Sequence, residues 1–272
     1  MAQYRKDTHS YLDNGTTIFE VGMQSDKDGN VQNTFGGASN IPLSAGLVEG
    51  YSRVHKFGLI NTSSSALWST VWTAGETSTQ HRYPWDLAAG VLTVVSTSAA
   101  DAPAGAGALT IRVQGLDASY NFLEEDFTMT GTTPTAAGSE TFLRVNRAYV
   151  LTGDTNVGAI NVKNGTTVVT EIKEDTGQTL QCVYTVPAGK TAYMSEIQAC
   201  SNKAQSVLVG LFVREFGGVF RIRNSTALYS STHTTKFNTP ATFPEKSDID
   251  LRIKGSTGQT VAADFELILV DN

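Results

Sequence analysis

Two stretches in the last third of the sequence alternate polar and apolar residues. In Asp248-Ile-Asp-Leu-Arg-Ile-Lys254 the residues Ile249, Leu251 and Ile253 share one side. In Asp264-Phe-Glu-Leu-Ile-Leu269 so do Phe265, Leu267 and Leu269. A period of two marks a strand with one buried face, whereas a helix would scatter these side chains around its axis. Val207-Leu-Val-Gly-Leu-Phe-Val213 is apolar on both sides, as a central or interface strand would be. Turn residues separate the runs: Pro187-Ala-Gly189, Gly217-Gly218 and Gly255-Ser-Thr-Gly258. Strands at such short spacing, with no helical period of useful length, predict an all-β chain built from sandwiches.

The upstream sequence continues the pattern. Val91-Leu-Thr-Val-Val95 and Ala108-Leu-Thr-Ile-Arg-Val113 are β-branched runs on either side of the loop Ala99–Gly107. Asp117 to Thr130 places Phe127 and Met129 on one face, and Glu140 to Leu151 adds a strand with Phe142 and Val145. Only 17% of residues are charged, below the usual quarter, and small polar residues that disfavour helices take up the difference. The stretch Ala66 to Trp85 holds all three tryptophans and is expected to cover one end of a sandwich.

Residues 1–45 look like an extended N-terminal arm. They carry one hairpin signal: Thr17 to Met23, then Asp28-Gly29, then Val31 to Phe35, with a flexible exit through Gly36-Gly37 and Pro42. The expected architecture is this arm followed by two β-sandwich (jelly-roll or Ig-like) domains in tandem, residues 46–163 and 164–272. The boundary is placed in the turn-rich segment Gly153 to Gly165.

Charge narrows the function. The net charge is −6; residues 1–163 carry 10 basic and 15 acidic groups, the remainder 10 and 11. No basic stripe exists to displace counterions from phosphates, so no nucleic-acid ligand is expected. No run approaches the roughly 18 apolar residues that span a bilayer, so no membrane partner is expected either. The first nine residues contain no apolar signal region, which predicts synthesis in a cytoplasm. In a hairpin turning near Ala188, Cys182 and Cys200 would not be cross-strand neighbours, so both are expected to be free, buried thiols.

Candidate chemistry is sparse. Asp26-Lys-Asp-Gly-Asn30 spaces three oxygen side chains as a calcium loop does, but Gly37 stands where the twelfth-position Glu should be, leaving a hairpin turn. Glu124-Glu-Asp126 alternates with Phe127 and Met129 as the solvent face of a strand does, and adjacent carboxylates on a strand point apart. His9, His55, His81 and His233 are scattered, and no nucleophile elbow or phosphate loop occurs. No catalytic, cofactor-binding or metal residues are therefore assigned. For binding, His81-Arg-Tyr-Pro-Trp85 stands out, because an Arg beside Tyr and Trp stacks on sugars or anchors a protein partner. Trp72, Arg82, Tyr83 and Trp85 are the candidate binding or interface residues. The alternative is that Trp85, after Pro84, plugs the end of the sandwich.

Gly115-Leu-Asp-Ala-Ser-Tyr-Asn121, Phe127-Thr-Met-Thr-Gly-Thr-Thr133 and Thr141-Phe-Leu-Arg-Val-Asn-Arg147 are similar to a domain of virion proteins from marine and cyanobacterial tailed bacteriophages. Tyr83-Pro-Trp85 resembles the segment preceding its first strand. Tyr184-Thr-Val-Pro-Ala-Gly-Lys190, Phe243-Pro-Glu-Lys-Ser-Asp-Ile249 and the ending Phe265 to Asn272 resemble a jelly-roll domain of phage surface and tail proteins. The resemblance covers roughly residues 50–272. It implies a non-enzymatic virion component made in the host bacterial cytoplasm, with no cofactor. A capsid decoration or head and neck accessory protein is the first expectation. It would assemble as a symmetric homo-oligomer, expected to be a trimer, with other virion proteins. Two alternatives stand beside it: a tail-fibre or receptor-binding protein that reads a glycan through Trp72, Tyr83 and Trp85 at the surface, and a double-jelly-roll capsid protein.

Overall fold

The computed structural model describes residues 10–13, 18–21, 23–25, 31–33, 40–61, 67–76, 80–255 and 257–272. Its contacts divide the chain into two units, Met1–Arg53 and Val54–Asn272.

In the first unit β1 (Ser10–Asp13) pairs antiparallel with β2 (Ile18–Val21), and β3 (Met23–Ser25) with β4 (Val31–Asn33). Of the expected hairpin between Thr17 to Met23 and Val31 to Phe35, only the Met23 end is formed, with Met23 opposite Asn33 in β3–β4, whereas Ile18–Val21 pairs with Ser10–Asp13; the turn Asp26 to Asn30 lies outside the described residues. Of the flexible exit expected through Gly36-Gly37 and Pro42, the two glycines lie outside the described residues, and Pro42 falls in a five-residue helix, α1 (Asn40–Ser44). Pro42 sits in its first turn, where a missing N–H forfeits nothing, and Gly46 at φ +69° follows its last turn.

Sixteen strands follow, the first of which crosses the division: β5 (Tyr51–Asn61), β6 (Ser69–Thr70), β7 (Gly90–Ser96), β8 (Ala108–Leu116), β9 (Phe122–Thr128), β10 (Thr141–Phe142), β11 (Arg144–Gly153), β12 (Ile160–Asn164) and β13 (Thr167–Ile172). Then come β14 (Val183–Thr185), β15 (Lys190–Ser201), β16 (Ser206–Arg214), β17 (Arg221–Tyr229), β18 (Thr232–Phe243), β19 (Asp248–Gly255) and β20 (Thr260–Asp271). The all-β expectation holds.

The strands of the second unit make two sandwich-like pairs of sheets. Sheets β10-β7-β12-β13 and β11-β8-β9 share a core of Leu92, Val94, Ile111, Val113, Phe127, Phe142, Ile160 and Val162 among others. Sheets β14-β19-β16-β17 and β18-β15-β20-β5 share a second core, which takes in Val207, Val209, Leu211 and Val213 with Ile249, Leu251, Ile253, Phe265, Leu267 and Leu269. Each of these large side chains contributes on the order of 1.5–3 kcal/mol by leaving water. β16 lies between β17 and β19, the central place its apolar run predicts.

The expected boundary at 163/164 falls inside a hairpin. β12 and β13 pair with each other, Asn164 facing Thr167 across the two-residue loop Gly165-Thr166, and β12 pairs with β7. The first core therefore runs on through Ile172. The hairpin expected near Ala188 is replaced by a crossover: β14 pairs with β19 in one sheet and β15 with β20 and β18 in the other. Cys182 and Cys200 are both free thiols; Cys182 is buried, while Cys200 is only half-buried.

Candidate functional site

A cluster of buried polar residues joins the two cores of the second unit. The chain enters at β6, which adds beside β19 with Thr70 opposite Arg252. Trp72 then bridges to Gln181, a short 3-10 turn follows at Thr73–Gly75, and the chain returns through Tyr83-Pro84-Trp85. Pro84 fixes a tight turn here, with the Leu87 amide donating to the Pro84 carbonyl at 3.1 Å. The turn stacks the rings in series. Trp72 and Tyr83 lie 5.8 Å apart, Tyr83 and Trp85 4.5 Å, and Trp85 and Phe220 5.4 Å.

Three arginines and three aspartates are wired through these rings. Asp248 accepts from Arg144 Nε at 3.1 Å, Arg214 Nε and Nη2 at 2.9 and 2.8 Å, and Thr185 Oγ1 at 2.6 Å. Arg214 also donates to Asp86 at 2.7 Å and to the Trp85 carbonyl at 3.2 Å. Asp250 accepts from Trp85 Nε1 at 2.7 Å, Arg252 Nε at 2.8 Å and Thr70 Oγ1 at 2.9 Å. The guanidinium of Arg252 lies 4.5 Å from the Phe212 ring centroid and 4.4 Å from that of Phe220, and Arg144 lies 5.4 Å from Trp85. Asp248, Asp250, Arg144 and Arg252 are all buried. Burial pushes the Asp250 carboxyl above its usual value, and the donors from Arg252, Trp85 and Thr70 only partly counter it. Tyr83 Oη accepts from the Val145 amide at 2.8 Å, and burial raises its phenol to about 12.

This constellation works as a clamp. Arg144 opens β11 of the first core, and Asp248 opens β19 of the second. The carboxylates at its centre are saturated with donors, so none is placed to accept a proton from a substrate. Among the described residues no group of three or more His, Cys, Asp or Glu is arranged to hold a metal ion.

Of the residues singled out in the sequence, Arg82, Tyr83 and Trp85 line one cleft of about 470 Å³, together with Asp86, Thr167 and Phe220. Trp72, Tyr83 and Trp85 are only 1%, 4% and 6% exposed. They are not the solvent-facing platform that a glycan reader would need. Their rings pack on each other and on Val183, which takes the plugging alternative further than the end of one sandwich. Arg82 alone stays at the surface, its Nε donating to the Trp68 carbonyl at 3.1 Å. Asp248, Asp250, Arg252, Arg144 and Arg214 were not apparent as site residues. The one available signal was Arg214, a charge closing the apolar run 207–213, since a cation at the end of a buried strand demands a partner.

The outer face of β16 and β17 is the second feature. Leu208 pairs with Ala227, Gly210 with Ser225 and Phe212 with Ile222. Trp68 and Ile222 approach over Gly210 so closely that a Cβ there would lie 3.1 and 3.2 Å from them. Leu208, Ile222 and Tyr229 remain 38%, 48% and 65% exposed, and so do Phe216 and Val219 in the adjoining turn, at 66% each. By contrast, Glu124 and Asp126 on β9 are engaged by Arg112 at 2.9 and 2.7 Å on an exposed strand face, as expected.

No protein-family model and no curated protein matches the chain. Distant structural likenesses come from infectious bursal disease virus. A structure of the Gt strain has a TM-score of 0.22 and 14% identity, covering 97% of this chain and 65% of that one. Virus-derived T=1 particles give a TM-score of 0.23 and 11% identity over 82% and 70%. A VP2 subviral particle gives 0.20 and 12% over 82% and 73%. The chain thus spans about two thirds of the length of the first of these. At such scores the likeness fixes neither role nor partner.

Proposed function

We propose that the chain is a non-enzymatic structural component of a bacteriophage virion, a capsid decoration or head and neck accessory protein that assembles as a symmetric homo-oligomer with other virion proteins. The observation that carries this is the clamp. A cluster of three arginines and three aspartates is used to hold two β cores together, with its charges matched and its central carboxylates saturated. A subunit that transmits mechanical load through a shell needs such a fixed junction, whereas a catalyst needs at least one unsaturated group facing substrate. The exposed apolar stripe on β16 and β17 supplies surface for association.

The test is incorporation. Phage particles made with a tagged copy of the chain, imaged by electron microscopy with a label on the tag, are expected to carry label at symmetric positions on the head or neck. Particles free of label, with the tagged chain left soluble in the lysate, overturn the proposal. Glu124→Gln, Asp126→Asn and His233→Ala are expected to incorporate normally. Removing residues 1–40 is expected to leave the unit Val54–Asn272 folded and to weaken incorporation.

A further inference from the structure

A strand at the edge of a sheet leaves a row of amide and carbonyl groups unpaired, and proteins ordinarily protect such edges with charge, proline, a bulge, brevity or a covering segment. Most edges of the second unit carry such a device. β10 and β14 are two and three residues long. β9 carries Glu124, Glu125 and Asp126, β5 carries Arg53, His55 and Lys56, and β13 carries Glu171. β11 is covered by the segment around Gly177 to Thr179, through Val150 N to Gly177 O and Thr179 N to Ala148 O. β18 contains Pro240, and its register jumps from Lys236 to Ala241 while β15 moves only from Glu196 to Met194.

β17 is different. It pairs with β16 alone, and its charges, Arg221 and Arg223, sit at one end next to a bulge. The remaining stretch, Asn224-Ser-Thr-Ala-Leu-Tyr229, has no charge, no proline and no glycine. Among the described residues no strand other than β16 pairs with it. Its outer face continues the apolar stripe of Leu208, Ile222 and Tyr229.

We propose that β17 pairs antiparallel with β17 of a second copy about a twofold axis at Thr226, joining two five-stranded sheets edge to edge. This deepens the reading of the chain as a self-assembling structural protein and rests on it. The occupant follows from the strand's own pattern. For the two apolar stripes to share one face, opposing residues must match in parity, which puts the axis through Thr226 or Ala227. Thr226 keeps residues 223–229 paired and sets Ser225 opposite Ala227 and Thr226 opposite itself. It also puts Arg223 across from Tyr229 at both ends, within reach of a cation–π contact. The arginines of the two strands then lie at opposite ends of the pair, so no like charges meet. A threefold axis, as first expected, would need another surface.

The experiment is sedimentation velocity on the full chain over a range of concentrations, beside co-sedimentation with phage particles. The wild type is expected to dimerise. Ala227→Lys and Tyr229→Lys, both at exposed positions, are expected to weaken dimerisation about 100-fold while melting at the wild-type temperature. Ala227→Lys combined with Ser225→Asp in the same chain sets opposite charges across the axis and is expected to restore the dimer. A monomeric wild type, a dimer indifferent to Ala227→Lys, or a double variant that stays monomeric overturns the pairing. A monomeric wild type whose co-sedimentation is abolished by Ala227→Lys assigns the edge to a foreign strand and also overturns it. A dimer sensitive to Ala227→Lys that never meets particles refutes the virion role and leaves the pairing standing.

Discussion

Asp248→Ala removes the centre of the clamp. In the wild type this carboxylate takes two donors from Arg144, two from Arg214 and one from Thr185. Its side chain and that of Arg144 are each 4% exposed, so the variant leaves a guanidinium buried without a counter-ion. It also releases Arg214, 19% exposed, which keeps only Asp86 as its ionic partner. Breaking one side of a buried pair costs about 3–5 kcal/mol. That is a large share of the 5–15 kcal/mol typical of total stability. At roughly 2–4 °C per kcal/mol for a folded unit of this size, melting should fall by about 6–20 °C. The assay is urea and thermal denaturation followed by tryptophan fluorescence, because Trp85 stacks within the clamp. Arg112→Met on the exposed face of β8 serves as control and should leave melting nearly unchanged. A shift for Asp248→Ala no larger than that of the control would refute the idea that this network secures the junction.

Three further outcomes follow from buried polar groups. Burial pushes the Lys56 amine down to about 8 from 10.5, so between those values the unfolded chain binds more protons and stability should rise with pH, by roughly 3 kcal/mol; Lys56→Met should flatten this slope in pH-dependent urea titrations. Burial acts to raise the Asp101 carboxyl, but hydrogen bonds from Ser96, Val157, Gly158 and Ala108 outweigh it and hold it below 3.8. Its contribution is therefore full above the unfolded value and lost as pH falls through the folded one, so acid unfolding of Asp101→Asn should show a shallower dependence below about pH 4. Tyr83→Phe leaves the buried Val145 amide without its acceptor and should cost about 1–3 kcal/mol in the same denaturation assay.

The strands were legible because a half-buried strand writes its core face into every second residue. Ile249, Leu251, Ile253, Phe265, Leu267 and Leu269 all point into the core that the alternation assigns them. The other face of β19 was not legible. Asp248, Asp250 and Arg252 read as an ordinary solvated face, since charges alternate the same way whether they meet water or buried partners. The difference lies in Arg144, 104 residues away, and Arg214, 34 away, which no local pattern connects. The boundary near residue 164 failed for a related reason. Asn164-Gly165 reads equally as a linker or as a two-residue hairpin loop, and only its pairing with β7 decides. Trp72, Tyr83 and Trp85 were picked out by composition, but aromatic content says nothing about which way the rings face.

Strand order also sets an order of events. The first core is drawn from residues 92–172, a continuous stretch that can collapse as soon as it has been synthesised. The second core needs β5 beside β20, joining residues 51–61 to residues 260–271. Until translation passes Asp271, that sheet lacks a strand next to β15, and the apolar side of β16 waits without its cover. Such distant closure is slow and prone to misassociation. Pulse-labelled chains should therefore gain protease resistance in two stages, residues 92–172 first and the rest only once residues 260–271 are free to fold.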